Sequence, residues 1–160
     1  MKSKRLNNLG KINRDKALNF TWDNKKLSGF EGDSLASALL ANNIGIVGRS
    51  FKYHRPRGIF SSGVEESGAL VTIGSKDRRD PNVRATTQEL FDGLKASGQN
   101  AFPNVNFDLG GINNYIGRFF AAGFYYKTFM GIPPFEWGKG TAIWMLFEKL
   151  IRKAAGMGSA

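Results

Sequence analysis

Leu18, Phe20 and Trp22 alternate with polar neighbours at period two, the spacing that turns large apolar side chains to one face of a strand and leaves the other face wet. Asp23-Asn24 follows with the chemistry of a tight turn, and Leu27 to Phe30 returns as a partner strand, so a hairpin is predicted near the start of the chain. Glu31-Gly32-Asp33 then opens a helix, with Asp33 placed to cap the backbone donors of Ser34, Leu35 and Ala36. Leu35, Leu39 and the alanines at 36, 38 and 41 form its apolar face, and Asn42-Asn43 ends it.

Ile44 to Val47 reads as a short extended stretch leading into a basic loop, and Ala69 to Ile73 as a β-rich segment pairing with the first hairpin. Lys76 to Pro81 reads as a charged turn, and Thr86 or Thr87 as the cap of a short helix through Leu90, Phe91 and Leu94. Hairpin, helix, long loop and returning strand is the order of an α+β, β-grasp domain. The organisation expected is a flexible basic arm over 1–16, the β-grasp domain over 17–95 and an aromatic-rich, partly helical extension over 96–160. In that extension Tyr115 to Phe129 and Thr141 to Lys153 are the helix candidates, and the density of aromatics predicts a docking surface.

The most distinctive chemistry lies in Gly48 to Phe60, where Arg49, Lys52, Arg55 and Arg57 are interleaved with Phe51, Tyr53, the sole histidine His54 and an Arg-Pro-Arg-Gly corner. Arginine presents a planar fork of donors to phosphate or carboxylate, and proline followed by glycine fixes where the forks point. A solvated basic loop is the plain reading of such a segment; an anion-recognising loop is the sharper one. The balance of 23 basic against 13 acidic residues, net +10, favours an anionic partner of some kind.

Much else is excluded by composition. With no cysteine the chain can supply neither a disulfide nor a thiolate-held zinc or iron–sulfur site, and one histidine precludes a multi-histidine centre. No G-x-G-x-x-G or Walker pattern is present. Glu65-Glu66 reads as solvated charge, because neighbours in an extended chain point to opposite faces and cannot share acid–base work. The N-terminus lacks the apolar stretch and cleavage site of a secretory signal, so cytoplasmic residence is expected. Ile116 to Phe135 is interrupted by Arg118, Lys127 and Pro133-Pro134 and fails as a membrane span.

Glu31 to Asn42, Gly48 to Phe60, Arg84 to Leu90 and Ala122 to Met130 together closely resemble the N-terminal part of the alpha subunit of heterotetrameric sarcosine oxidase, over roughly Phe20 to Gly156. The resemblance implies a ferredoxin-type β-grasp domain preceding a dinucleotide-binding domain and a folate-binding domain, in an enzyme that demethylates sarcosine to glycine. It implies FAD, FMN, NAD and tetrahydrofolate for the full complex, none of them bound by this chain alone, and beta, gamma and delta subunits as partners. The chain is thus expected to be a truncated or split alpha subunit lacking the C-terminal domains. Related amine and opine dehydrogenases hold a [2Fe–2S] cluster through cysteines after the Arg-Gly corner. Here Phe60 to Gly68 offers only serine and glutamate, so no iron–sulfur cluster is expected.

The role expected from this resemblance is assembly and flavin-interface scaffolding. Arg49, Lys52, Arg55 and Arg57 would contact a flavin phosphate or an acidic face of the beta subunit, with Tyr53 and His54 stacking or donating beside them. The competing reading is a free-standing nucleic-acid-binding module that stacks bases on Phe51, Tyr53 and Phe60.

Overall fold

The fold is built around β1 (Asn13–Trp22), whose inward residues Leu18, Phe20 and Trp22 are buried while Asn19 between them is exposed and Thr21 half-buried, as the period-two pattern requires. A computed structural model describes residues 5–6, 9–75, 78–116, 148 and 152. Asp23 and Asn24 both adopt positive φ, 44° and 66°, and so close a two-residue turn whose twist matches the strands it joins. The partner strand β2 (Lys25–Glu31) runs antiparallel to β1 from Trp22↔Lys25 to Ala17↔Phe30. Of the segment expected as a basic arm, Asn13 to Lys16 belong to β1, and Arg5 is ion-paired to Asp33.

Helix α1 (Leu35–Ala41) buries Leu35, Ala36, Ala38, Leu39 and Ala41 against the sheet. Its cap differs from expectation: Ser34 is the N-cap and accepts from the Ser37 amide. Asp33 is otherwise engaged, because its buried carboxylate receives both arms of the Arg5 guanidinium, at 2.8 and 2.5 Å, together with Ser37 Oγ and the Phe30 amide. Burial opposes ionisation there, but these donors outweigh it and hold the carboxyl below its ordinary value. Asn42 ends the helix, its side-chain amide donating to Ser28 and Ala38 carbonyls.

After α1 no strand forms over 44–47; instead β3 (Gly48–Arg49) and β4 (Pro56–Arg57) make a two-stranded hairpin that brackets the basic loop. β5 (Leu70–Ser75) does not pair with the first hairpin. A strand that the sequence did not announce, β7 (Lys95–Gly98), lies between them, parallel to β1 and antiparallel to β5. The segment expected as a charged turn is largely strand: β6 (Arg78–Arg84) completes the order β2-β1-β7-β5-β6 as an edge. An edge tolerates Pro81, whose missing N–H would break an interior ladder, and the β5–β6 register shifts there, between Ile73↔Asp80 and Val71↔Val83.

No helix forms over 86–94. The Gln88 carbonyl accepts from Leu35 N and the Leu90 amide donates to Asp33 O, so the groups a helix would pair within itself are taken by the start of α1. Leu90 and Leu94 from this stretch join Leu18, Phe20, Trp22, Leu35, Leu39, Val47 and Val71 in one hydrophobic core. This mixed five-stranded sheet with α1 packed on it is the α+β, ferredoxin-like β-grasp fold expected from the sequence. Beyond it a 3-10 turn (Leu109–Ile112) runs into α2 (Asn113–Ile116). Most of the helices expected at 115–129 and 141–153 lie outside the described residues. Of the aromatics expected to form a docking surface, Phe102, Phe107 and Tyr115 are described, and all three are exposed.

Candidate functional site

The basic hairpin is not a free loop. Its backbone closes on itself through Ser50 N to Arg55 O and His54 N to Ser50 O, with Ser50 Oγ accepting the Arg55 amide; the bend puts His54 at φ 53°. It is then fastened to the segment after β7. Arg49 N donates to Gln99 O, and Asn100 Nδ2 donates to Arg49 O. The Arg49 guanidinium spends Nε and Nη2 on the Val105 carbonyl, at 3.0 and 2.7 Å, and Nη1 on the His54 carbonyl at 3.2 Å.

His54 is the second fastening. Its Nδ1 lies 2.8 Å from Asp108 Oδ2, and the other carboxylate oxygen accepts from the amides of Phe102 and Gly110. Burial would raise the Asp108 carboxyl, but the Phe102 amide, His54 and the Gly110 amide more than offset it and keep it below the ordinary carboxylate value. An ionised Asp108 has only acceptors to offer, so Nδ1 of His54 carries a proton and donates to it. Gly110 packs against that ring so closely that a Cβ there would collide with Cε1 and Nδ1.

The six residues singled out by sequence therefore divide. Arg49 and His54 face the protein and hold the hairpin in place. Lys52, Tyr53 and Arg55 sit together at its tip, with Lys52 Nζ and Arg55 Cζ 4.8 and 4.7 Å from the Tyr53 ring centroid, while Arg57 stands at the base of the hairpin opposite Gly48; Arg55 and Arg57 are exposed. A cation over an aromatic face is oriented without being neutralised, so the exposed Arg55 presents its charge to the surface. Asp108 and Val105, which do the fastening, were not found by sequence reasoning; each lies more than fifty positions from the residue it holds.

Glu66 was misread. Glu65 is exposed as expected, but Glu66 is buried, its carboxylate accepting four backbone N–H groups, from Phe60, Ser61, Gly68 and Ala69. Burial works against the charge, yet the four amides prevail and bring the carboxyl from 4.5 down to about 2. The available signal was the run of serine and glycine on both sides of Glu66, which leaves amides uncovered.

The chain is 52% identical over 160 residues to the sarcosine oxidase subunit alpha of Rhizobium meliloti (strain 1021), covering 100% of this chain and 16% of that protein. It is 50% identical over 90 residues to the subunit of the same name from Corynebacterium sp. (strain U-96), covering 54% of this chain and 9% of that protein. A crystal structure of L-proline dehydrogenase from P. horikoshii matches at 29% identity and a TM-score of 0.45, over 54% of this chain and 16% of that one. The chain thus spans a small part of the curated relatives it matches.

A family model described as a 2Fe-2S iron-sulfur cluster binding domain matches residues 15–101. The donor set does not fit that group: the sequence has no cysteine, the described residues contain no cluster of three or more metal-ligating side chains, and the amides of the 60–69 loop are closed on Glu66. With the match covering more than half of the chain and nearly all of the five-stranded sheet, the chain belongs to the 2Fe-2S iron-sulfur cluster binding domain family, as a cysteine-free member.

Proposed function

We propose that this chain is the ferredoxin-like assembly domain of a sarcosine-oxidising, multisubunit flavoenzyme, and that it carries a cationic contact for an anionic partner surface rather than an electron carrier. The observation that carries the reading is the β3–β4 hairpin, where Lys52 and Arg55 lie over the Tyr53 ring at the tip and Arg57 is exposed at the base. Identity to sarcosine oxidase alpha subunits supports the context. The partners of that context are the beta, gamma and delta subunits, and its cofactors are FAD, FMN, NAD and tetrahydrofolate held elsewhere in the complex. The anion on which the hairpin closes is a flavin phosphate at the subunit boundary or an acidic face of the beta subunit.

Arg49 and His54 enter this function as positioning residues, since their donors are taken by Val105, the His54 carbonyl and Asp108. Each charge-assisted contact shielded from water contributes on the order of 1.5–3 kcal/mol. Losing two of them weakens binding by roughly a hundredfold or more. The test is co-purification of the flavin-bearing partner with the Arg55→Ala, Arg57→Ala variant. Loss of partner with an unchanged melting temperature supports the reading; normal recovery of partner and flavin overturns it.

A further inference from the structure

The loop between β4 and β5 is organised around a single point. Phe60 N and Ser61 N donate to Oε2 of Glu66, both at 2.7 Å, while Gly68 N and Ala69 N donate to Oε1 at 2.5 and 3.2 Å. The two pairs of donors come from the two ends of the loop, so the carboxylate bridges its entrance and exit. The residues between, Ser61 to Glu65, are exposed, yet Glu66 is 1% exposed. All four donors are backbone amides, the fixed partial charges that proteins use to cradle phosphates and iron–sulfur clusters.

The surrounding chain is shaped to let the carboxylate in. A Cβ on Gly68 would stand 3.1 Å from Oε1 and 2.9 Å from the Gly58 carbonyl, so that position has room for glycine alone. Arg84, on β6, donates through Nε to the backbone carbonyl of Glu66 rather than to its carboxylate, and Thr86 Oγ1 ties down the Gly63 carbonyl. These contacts hold the loop from outside while the amides hold it from within. A nest of four convergent amides needs an anion; in this chain, which has no cysteine to bring one, the anion is part of the loop.

We propose that residues 58–69 form an anion receptor filled from within by the Glu66 carboxylate, and that a small carboxylate such as formate takes the same place once that side chain is removed. The receptor is a property of the fold and stands whether or not the hairpin binds an anionic partner.

The experiment is thermal unfolding of the 160-residue chain and its Glu66→Ala and Glu66→Gln variants in sodium formate against sodium chloride at matched ionic strength. Glu66→Ala is expected to melt several degrees below the parent and to regain at least half of that loss in formate but not in chloride. Glu66→Gln, whose amide fills the space, is expected to gain nothing from formate beyond chloride. If Glu66→Ala fails to fold in chloride, its refolding yield in formate is the readout, and recovery there supports the receptor. Equal effects of the two salts on the alanine variant, by melting or by yield, or a melting temperature equal to that of the parent, would overturn it.

Discussion

Replacing Arg49 by lysine keeps the charge on the hairpin and removes the fork, and so separates holding the loop from binding through it. The arginine places three N–H groups on two carbonyls, at 2.7 to 3.2 Å, one of them the carbonyl of Val105, a buried residue. A lysine reaches one carbonyl at most with useful geometry, because its ammonium is a single point of donation on a flexible stem. At about 1.5–3 kcal/mol for each hydrogen bond to a charged group, with neighbouring losses not fully additive, Arg49→Lys costs about 2–3 kcal/mol. For a domain of this size that lowers the melting temperature by roughly 10–20 °C. Differential scanning calorimetry measures it directly. Arg55→Ala, which removes an exposed cation of the same hairpin, should melt within about 4 °C of the parent, since such surface changes stay near ±0.5 kcal/mol. A lysine variant as stable as the parent would refute the structural role of Arg49 and return it to the ligand-facing set.

Gly110→Ala drives a methyl into the His54 ring, so the His54–Asp108 contact opens at a cost of about 1–3 kcal/mol; the check is a changed Nδ1 proton signal of His54 by NMR. The Glu66 carboxyl, at about 2 in the folded chain against its ordinary 4.5, contributes stability that is fully present above pH 4.5 and is lost as pH falls through about 2. Denaturant midpoints should therefore fall more gently with acid in Glu66→Gln than in the parent across that window, and parallel curves would contradict the assignment. Asp33→Asn breaks the paired contact with Arg5 and weakens those with Ser37 and the Phe30 amide, costing about 2–4 kcal/mol; hydrogen exchange at Phe30 should accelerate accordingly.

The first hairpin and α1 are legible because their signals are local: alternation in Leu18-Phe20-Trp22, the Asp23-Asn24 turn, and Leu35 and Leu39 one helical turn apart. Strand β7 is not legible for the opposite reason. Lys95-Ala96-Ser97-Gly98 carries no β-branched or aromatic residue, and it is a strand because β1 and β5 pair with it from both sides. Lys76 to Pro81, with its charges and its proline, reads as a turn, yet from Arg78 onward it belongs to β6, because an edge strand needs fewer donors. In the site, the concentration of cations was visible, but which of them are consumed was not. Val105 and Asp108 are distant in sequence, and nothing near Arg49 or His54 announces them. The same limit hid Glu66, whose burial depends on a loop closing on it from both ends. Placing the N-cap at Asp33 failed because an acidic side chain before a helix can serve a tertiary ion pair as readily as a cap.

The most direct test of the cationic-contact reading is the affinity of the chain for the beta subunit proposed as its partner, measured by titration calorimetry across a range of ionic strengths. The parent should bind more weakly as salt rises, and the Arg55→Ala, Arg57→Ala chain should bind weakly at every salt concentration with little further change. Equal affinities and equal salt dependence for the two chains would contradict it.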